Sequence, residues 1–178
     1  MLNPAKFLVG NKLIAAGLLL MLFNISGCMA NLLPFAQNVK IQEQLQNQAV
    51  QARQSEAKST LTAMIRAQLA YVLENSSFAS TMEEMEINLP TETENYTYRI
   101  VPQQGQTSVM MNAQAKRPGL KSYTGAVLLA RINGNTTIPS GICETDAAST
   151  TPPVPTLTGG STQIQCPPGS HLTTQISN

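Results

Sequence analysis

The sequence predicts an α+β fold, in which one long N-terminal α-helix packs on a three- to four-stranded antiparallel sheet and a disulfide closes the C-terminal loop. Three observations predict it. Residues 37–74 contain neither Gly nor Pro, three strand-like runs follow them, and two cysteines lie late in the chain among many Pro, Gly and Thr residues. One long helix is able to cover one face of such a sheet.

The helix is predicted over residues 37–74, because nothing in that stretch interrupts a helical backbone. Its first half is rich in Gln with sparse apolar residues, which indicates a solvated stalk or a weak helix-pairing surface. Its second half carries an apolar stripe at helical spacing that is broken only by Gln68. We therefore expect the second half to pack on the globular body.

A short second helix is predicted over residues 81–86. Ser80 and Glu83 have the spacing of a capping box, and Pro90 closes the segment. The glutamates in and after this segment are interpreted as a solvated face rather than an acid/base or metal site, since no Asp or His accompanies them. They are Glu83, Glu84, Glu86, Glu92 and Glu94.

Three strands are predicted, over residues 96–101, 107–115 and 123–132, from alternating or continuous apolar patterns bounded by turn residues. The Asn133-Gly134 pair is a strong two-residue hairpin signal and predicts a return into residues 136–138. Beyond this point Pro and Gly are frequent, so the rest of the chain is predicted to be irregular.

The N-terminal segment has the pattern of an export signal. Lys6 and Lys12 precede an uncharged apolar run, 13–23, whose length suits a secretory leader better than a membrane span of about 20 residues. The run is followed by Ile25-Ser26-Gly27-Cys28, which resembles the lipobox of bacterial lipoproteins. Cys28 is therefore predicted to be lipidated and to become the first residue of the mature chain.

Two other interpretations of this segment stay open. In the first, the segment is an uncleaved anchor and Cys28 is incidental. In the second, the chain is processed like a type IV prepilin after Gly10, which would place Ala15 fifth, where prepilins have a glutamate. The mature N-terminus distinguishes all three.

The late cysteines Cys143 and Cys166 are predicted to form a disulfide, because the export signal implies an oxidising compartment. The sequence has no spacing typical of a zinc site, and its only histidine is His171. We predict no metal site, no cofactor and no catalytic residues, since nothing offers a nucleophile beside a base.

Composition limits the function further. Only 12% of residues are charged, the net charge is +1, and the basic residues are scattered. A nucleic-acid-binding protein would concentrate basic residues on one face, so that class is not expected. No small-molecule substrate is identified either.

Several motifs in residues 50–135 resemble the type IV pilin-like G/H family, which is widespread in cyanobacteria. In that family an E-A-K start, an N/I-R-A-Q-x-A-Y core, an L-E-x-x-x-F-A helix end and a T-E-T-x-x-Y-x-Y strand recur in this order. The corresponding residues here are Glu56-Ala57-Lys58, Ile65-Arg66-Ala67-Gln68, Ala70-Tyr71, Leu73-Glu74, Phe78-Ala79, Thr91-Glu92-Thr93, Tyr96 and Tyr98.

The resemblance implies a pilin-like fold without catalytic residues, and the late cysteine pair is similar to the disulfide-closed loop of pilins.

Four segments are expected: a lipoprotein signal peptide (1–27), a Gln-rich helical stalk (28–54), a pilin-like domain (55–140) and a disulfide-closed loop and tail (141–178). The expected function is that of a non-enzymatic envelope protein, held at the membrane by a lipid or an uncleaved helix, with its domain on the periplasmic or extracellular side. Its expected partners are pilus or secretion-system proteins. The alternatives are a minor pilin in a filament and a periplasmic ligand-binding lipoprotein.

Overall fold

The computed structural model of the chain describes residues 33–105, 107–157 and 163–176. The chain divides into two units, Met1–Gln48 and Ala49–Asn178. Cys28 and the predicted signal peptide lie outside the described residues. Within the described ranges, no helix combines the length and the apolar character needed to cross a bilayer.

One helix and seven strands are formed by the described residues. The helix α1 spans Leu33–Asn75. The strands are β1 (Tyr96–Pro102), β2 (Ser108–Ala115), β3 (Tyr123–Leu128), β4 (Ala130–Ile132), β5 (Asn135–Thr137), β6 (Ser140–Thr145) and β7 (Ser170–Ile176).

The single long helix is confirmed. Within the described residues it spans Leu33–Asn75. Ser76 ends it by adopting a left-handed φ of 56°, and its amide donates to the Val72 carbonyl at 3.0 Å. In the first unit, the side chains of residues 38–48 are exposed.

In the second unit, the apolar stripe of α1 packs on one face of the sheet, as predicted. The stripe consists of Ala57, Leu61, Met64, Ile65 and Leu69, all buried. The approach is closest at Gly125 on β3, where an added Cβ would lie 3.1 Å from Ile65 Cδ1. An added Cβ there would require the Ile65 side chain to shift by a few tenths of an ångström, so Gly125 allows this close approach of helix and sheet.

Strand pairing confirms the α+β architecture but gives more strands than predicted. A five-stranded antiparallel sheet has the order β1-β2-β3-β6-β7, and β4 and β5 form a separate hairpin. The prediction that 141–178 is only loop and tail is wrong, because β6 and β7 lie at its two ends. Prolines and glycines break the middle of this region, but they do not prevent its ends from pairing with each other and with β3.

The predicted strand over 123–132 is divided at Leu129. Leu129 lies between β3 and β4, and its amide donates to the Thr107 carbonyl at 2.8 Å. The predicted hairpin is confirmed, since Asn133 and Gly134 have φ of 53° and 83° and connect β4 to β5. Two positive φ angles are what a type I′ turn requires.

The predicted short helix over 81–86 is wrong, because these residues form turns instead. The capping contacts also lie one residue later than predicted. The Glu84 amide donates to Thr81 Oγ1 at 3.2 Å, and Glu84 Oε2 accepts from the Ser80 amide at 2.6 Å. Glu86 has a φ of 55°, which ends the turn before a helix is established.

The second face of the sheet is covered by a segment that we call the strap, residues 146–157 and 163–166. Its apolar contacts centre on Ile164, which packs with Ala126, Leu128 and Cys143. Two sheet hydroxyls bind its backbone: Ser122 Oγ donates to the Ser149 carbonyl and Thr124 Oγ1 donates to the Pro153 carbonyl, both at 2.6 Å. The second unit therefore has three layers, which are helix, sheet and strap.

Candidate functional site: the junction of helix and sheet

Polar side chains meet where the second half of α1 faces the ends of β1, β3 and β6. Tyr96 begins β1 and Tyr123 begins β3, and the strand register places both at the same end of the sheet. We call this group the helix–sheet junction. It comprises Gln54, Glu56, Lys58, Thr93, Asn95, Tyr96, Tyr98, Lys121, Tyr123 and Glu144.

Glu56 on the helix is one centre of the junction. Its Oε1 accepts a hydrogen bond from Thr93 Oγ1 at 2.7 Å and a longer one from the Tyr98 hydroxyl at 3.5 Å. Its Oε2 accepts from Asn95 Nδ2 at 3.0 Å. One helix carboxylate thus binds the segment that leads into β1 as well as β1 itself.

Glu144 on β6 is the other centre, and its side chain is only 9% exposed. Lys121 Nζ lies 2.7 Å from Oε1, and Lys58 Nζ on the helix lies 3.6 Å from Oε2. A buried carboxylate is tolerated only when it is paired. The two lysines provide this pairing. The contact of Lys58 also joins the helix to β6, just as Glu56 joins the helix to β1.

Three buried tyrosines fill the space between these two carboxylates. The Tyr96 ring centroid lies 6.2 Å from those of both Tyr98 and Tyr123, which is within the range of favourable aromatic pairs. The Tyr96 hydroxyl donates to the Lys121 carbonyl at 3.2 Å, and the Tyr123 hydroxyl donates to Gln54 Oε1 at 3.3 Å.

Burial opposes ionisation of these phenols. It raises the pKa of Tyr98 to about 12, and the negative charge of Glu56 adds to the effect. Burial likewise raises the pKa of Tyr96, with further contributions from Tyr98, Glu56 and Glu144. The pKa of Tyr123 is raised by burial and by the charge of Glu144.

These shifts predict a loss of stability in alkali. The unfolded chain releases the Tyr98 proton near pH 10, whereas the folded chain keeps it until about pH 12. The contribution is fully present below pH 10, and it decreases by about 1.4 kcal/mol per pH unit as the pH rises through this window. Denaturant titrations at stepwise pH should show that decrease, and near-ultraviolet absorbance should show tyrosinate appearing together with unfolding.

Tyr98→Phe provides the comparison for this prediction. The variant should have a shallower alkaline decrease in the free energy of unfolding than the wild-type chain. If the three junction tyrosines of the native protein ionised near pH 10 with no loss of structure, the assignment of their pKa shifts to burial would be wrong.

The chemistry of the junction is that of a structural connection. In the ranges described, Asn95 Oδ1 is the one buried side-chain polar atom without a hydrogen-bond partner, and no group of three or more His, Cys, Asp or Glu side chains is arranged to hold a metal ion. His171 lies on β7, where its Nδ1 is 2.6 Å from Asp146 Oδ1 and both side chains are exposed.

The exposed glutamates contribute to the rim of the junction. Glu92 pairs with Lys116 and Glu94 pairs with Arg117. The hydrogen bond and charge of Lys116 lower the pKa of Glu92. These contacts lie at the protein surface, where ion pairs contribute little to stability.

Of the predicted site residues, the structure joins Cys143 and Cys166 in a disulfide, with their Cα atoms 5.6 Å apart. This bond connects β6 to the end of the strap. The predicted lipidation site, Cys28, lies outside the described residues and stays a prediction.

Sequence reasoning missed the roles of Glu56, Gln68 and Glu144. Gln68 is fully buried, and its Nε2 and Oε1 bond the carbonyl and the amide of Ala79 at 2.8 and 3.1 Å. A polar residue that interrupts an apolar stripe was the available signal for Gln68. Glu56 lay in a motif of the resemblance, whereas the strand that carries Glu144 was not predicted.

A long helix on an antiparallel sheet, with a disulfide-closed C-terminal segment, defines the class of pilin-like proteins. The family model of type IV pilin-like G and H matches residues 54–167, which is more than half of the chain. The chain therefore belongs to this family. No curated protein matches it, and neither does any solved structure.

The family match extends from the second half of α1 through Cys166. It includes Glu56, Thr93, Tyr98 and Glu144, and all ten residues of the helix–sheet junction lie in the family region. Family membership indicates a structural or accessory role of the pilin-like type, in the envelope or outside the cell, and such proteins are generally not enzymes.

Proposed function

We propose that this chain is a non-enzymatic envelope protein, tethered to the membrane by a lipid on Cys28, that acts through protein–protein contacts as an accessory of type IV pilus or secretion machinery. Family membership carries the proposal. The structure of the second unit supports it, because the polar groups at the helix–sheet junction are used to bind one another. Such a junction stabilises the folded domain, whose outer surface is then free to bind partner proteins.

The sequence Ile25-Ser26-Gly27-Cys28 supports the lipid anchor. Small residues before the cysteine allow a peptidase to accept the chain, and the thiol is the nucleophile that forms a thioether with diacylglycerol. Several acyl chains on one residue hold a protein far more firmly than a single chain, since each buried CH₂ contributes about 0.8 kcal/mol. In this proposal the lipid replaces the apolar helix by which filament-forming pilins assemble.

We expect cells that produce the wild-type chain to incorporate radiolabelled palmitate into it, and Cys28→Ser to abolish the label. The matched control is the double variant Cys143→Ser, Cys166→Ser, which removes two thiols but keeps Cys28 and should remain labelled. Labelling that persists in Cys28→Ser would contradict the lipid anchor.

Mass spectrometry of the mature N-terminal peptide distinguishes the routes to the envelope. A lipidated Cys28 supports the proposal. A methylated Asn11 would instead assign the chain to minor pilins inserted in a filament, and an intact N-terminus would assign it to uncleaved anchors.

A further inference from the structure

A cleft of about 700 Å³ lies in the second unit, between the C-terminal turn of α1 and the β4–β5 hairpin. We call it the hairpin cleft. The helix supplies Val72 and Leu73 to its wall, and the opposite side is formed by Leu129, Ala130 and Ile138. Its wall is therefore largely apolar and is built from two regular elements.

The fold leaves part of the apolar surface of this cleft exposed to water. Val72 is buried in the core, but its neighbour Leu73 is 67% exposed. Leu129 and Ile138 are half-buried. Removing such surface from water is favourable. A bound apolar group that covers Leu73, Leu129 and Ile138 is therefore stabilised by the burial of their exposed surface.

The cleft has one charged residue, Arg131, which is exposed on β4. In the described residues Arg131 has no ion-pair partner, which is also true of Lys40, Arg53, Arg66 and Arg99, but Arg131 is the one of these five that lines the cleft. A guanidinium beside an apolar wall favours a ligand that combines an apolar group with a carboxylate, because charge-assisted hydrogen bonds to Arg are strong and directional.

The rim of the cleft carries the hydroxyls of Ser76, Thr107 and Thr136, all on exposed residues. Hydroxyls donate and accept hydrogen bonds, so they suit the repeated amide and carbonyl groups of an extended peptide better than the bare chain of a fatty acid. The cleft thus combines an apolar wall, a hydrogen-bonding rim and one cation.

We propose that the hairpin cleft binds an extended peptide segment of a partner protein, in which an apolar side chain closely precedes an Asp or Glu. The apolar side chain lies against Leu73 and Ile138, and the carboxylate pairs with Arg131. This inference rests on the proposed function, for which it names the chemistry of one partner segment.

The test uses the full chain, reconstituted in lipid nanodiscs, and fluorescein-labelled hexapeptides of sequence Gly-Ser-Leu-Val-Asp-Ser, read by fluorescence anisotropy. Two further peptides change one property each: the first has Lys in place of Asp, and the second has Ser in place of both Leu and Val. We expect saturable binding of the acidic apolar peptide below ~1 mM, and binding about tenfold weaker for both altered peptides.

Arg131→Gln and Leu73→Ser should each weaken binding of the acidic apolar peptide by about tenfold. Both positions are exposed, so both variants are expected to fold, which circular dichroism checks. The matched control is Arg99→Gln, an exposed arginine on β1, which should bind like the wild-type chain. Arg131→Lys should recover part of the affinity, because it restores the charge without the planar fork.

Three results would overturn the inference: no saturable binding below ~1 mM, equal binding of the three peptides, or an equal loss in Arg99→Gln. Displacement of the peptide by sodium palmitate would assign the cleft to lipids, and a loss of peptide binding as the protein concentration rises would assign it to a second copy. Because peptide binding reports on the cleft and palmitate incorporation reports on Cys28, the failure of the inference and the failure of the proposed function give different results.

Discussion

The double variant Cys143→Ser, Cys166→Ser should lose about 3 kcal/mol of unfolding free energy. The disulfide joins residues 23 apart in sequence, and closing a loop of this length restricts the unfolded chain much more than the folded one. The bond also fixes the end of the strap to β6, so its removal allows the strap to leave the face formed by Ala126 and Leu128. Equilibrium denaturation in urea measures the change.

The matched control for this variant is the wild-type chain in excess reductant, which should unfold at the same urea concentration as the double variant. Without reductant, alkylation should modify neither Cys143 nor Cys166. Quantitative alkylation of both in the native protein, or equal stability of the variant and the oxidised chain, would show that the strap is held without the disulfide.

Gln68→Met should lower the free energy of unfolding by about 2–4 kcal/mol. The substitution nearly preserves the side-chain volume but removes both hydrogen bonds to Ala79. The amide and carbonyl of Ala79 would then stay buried without partners, and each such group costs about 1–3 kcal/mol. Thermal and urea unfolding measure the loss, and hydrogen exchange at Ala79 should show that its amide loses protection.

Gln51→Met is the matched control, since Gln51 lies exposed on the same helix. It should change the free energy of unfolding by less than about 0.5 kcal/mol, because surface substitutions away from special contacts have small effects. A similar small change in Gln68→Met would mean that water replaces the lost amide, and the role assigned to Gln68 would be wrong.

The local elements with strong patterns were predicted from sequence. The long helix followed from a stretch without Gly or Pro, and Asn133-Gly134 gave the β4–β5 hairpin because few residues other than these accept two positive φ angles. The same local reasoning failed at residues 81–86. A capping pattern indicates where a helix begins, but a turn this short depends on what packs around it.

The pairing of β6 and β7 was not predictable from the local pattern. Residues 140–145 and 170–176 lie on both sides of a segment rich in Pro and Gly. The first of these ranges becomes a strand because it pairs with β3, and the second becomes a strand because it pairs with β6. Strand preference depends strongly on such tertiary context. The strap likewise forms a layer only because β6 and β7, which lie on either side of it in the sequence, are paired in the sheet.

The helix–sheet junction also combines features that the sequence determined with features that only the tertiary structure determined. Sequence alone determined the order of the long helix and of the strands up to the hairpin, the polar interruption at Gln68, the cysteine pair and the motif that carries Glu56. The tertiary structure decided that Glu56 and Lys58, two residues apart on one helix, bind opposite parts of the sheet through Thr93 and Glu144. A sequence records contacts between near neighbours through periodicity, whereas contacts between distant residues exist only after the strands have been placed side by side.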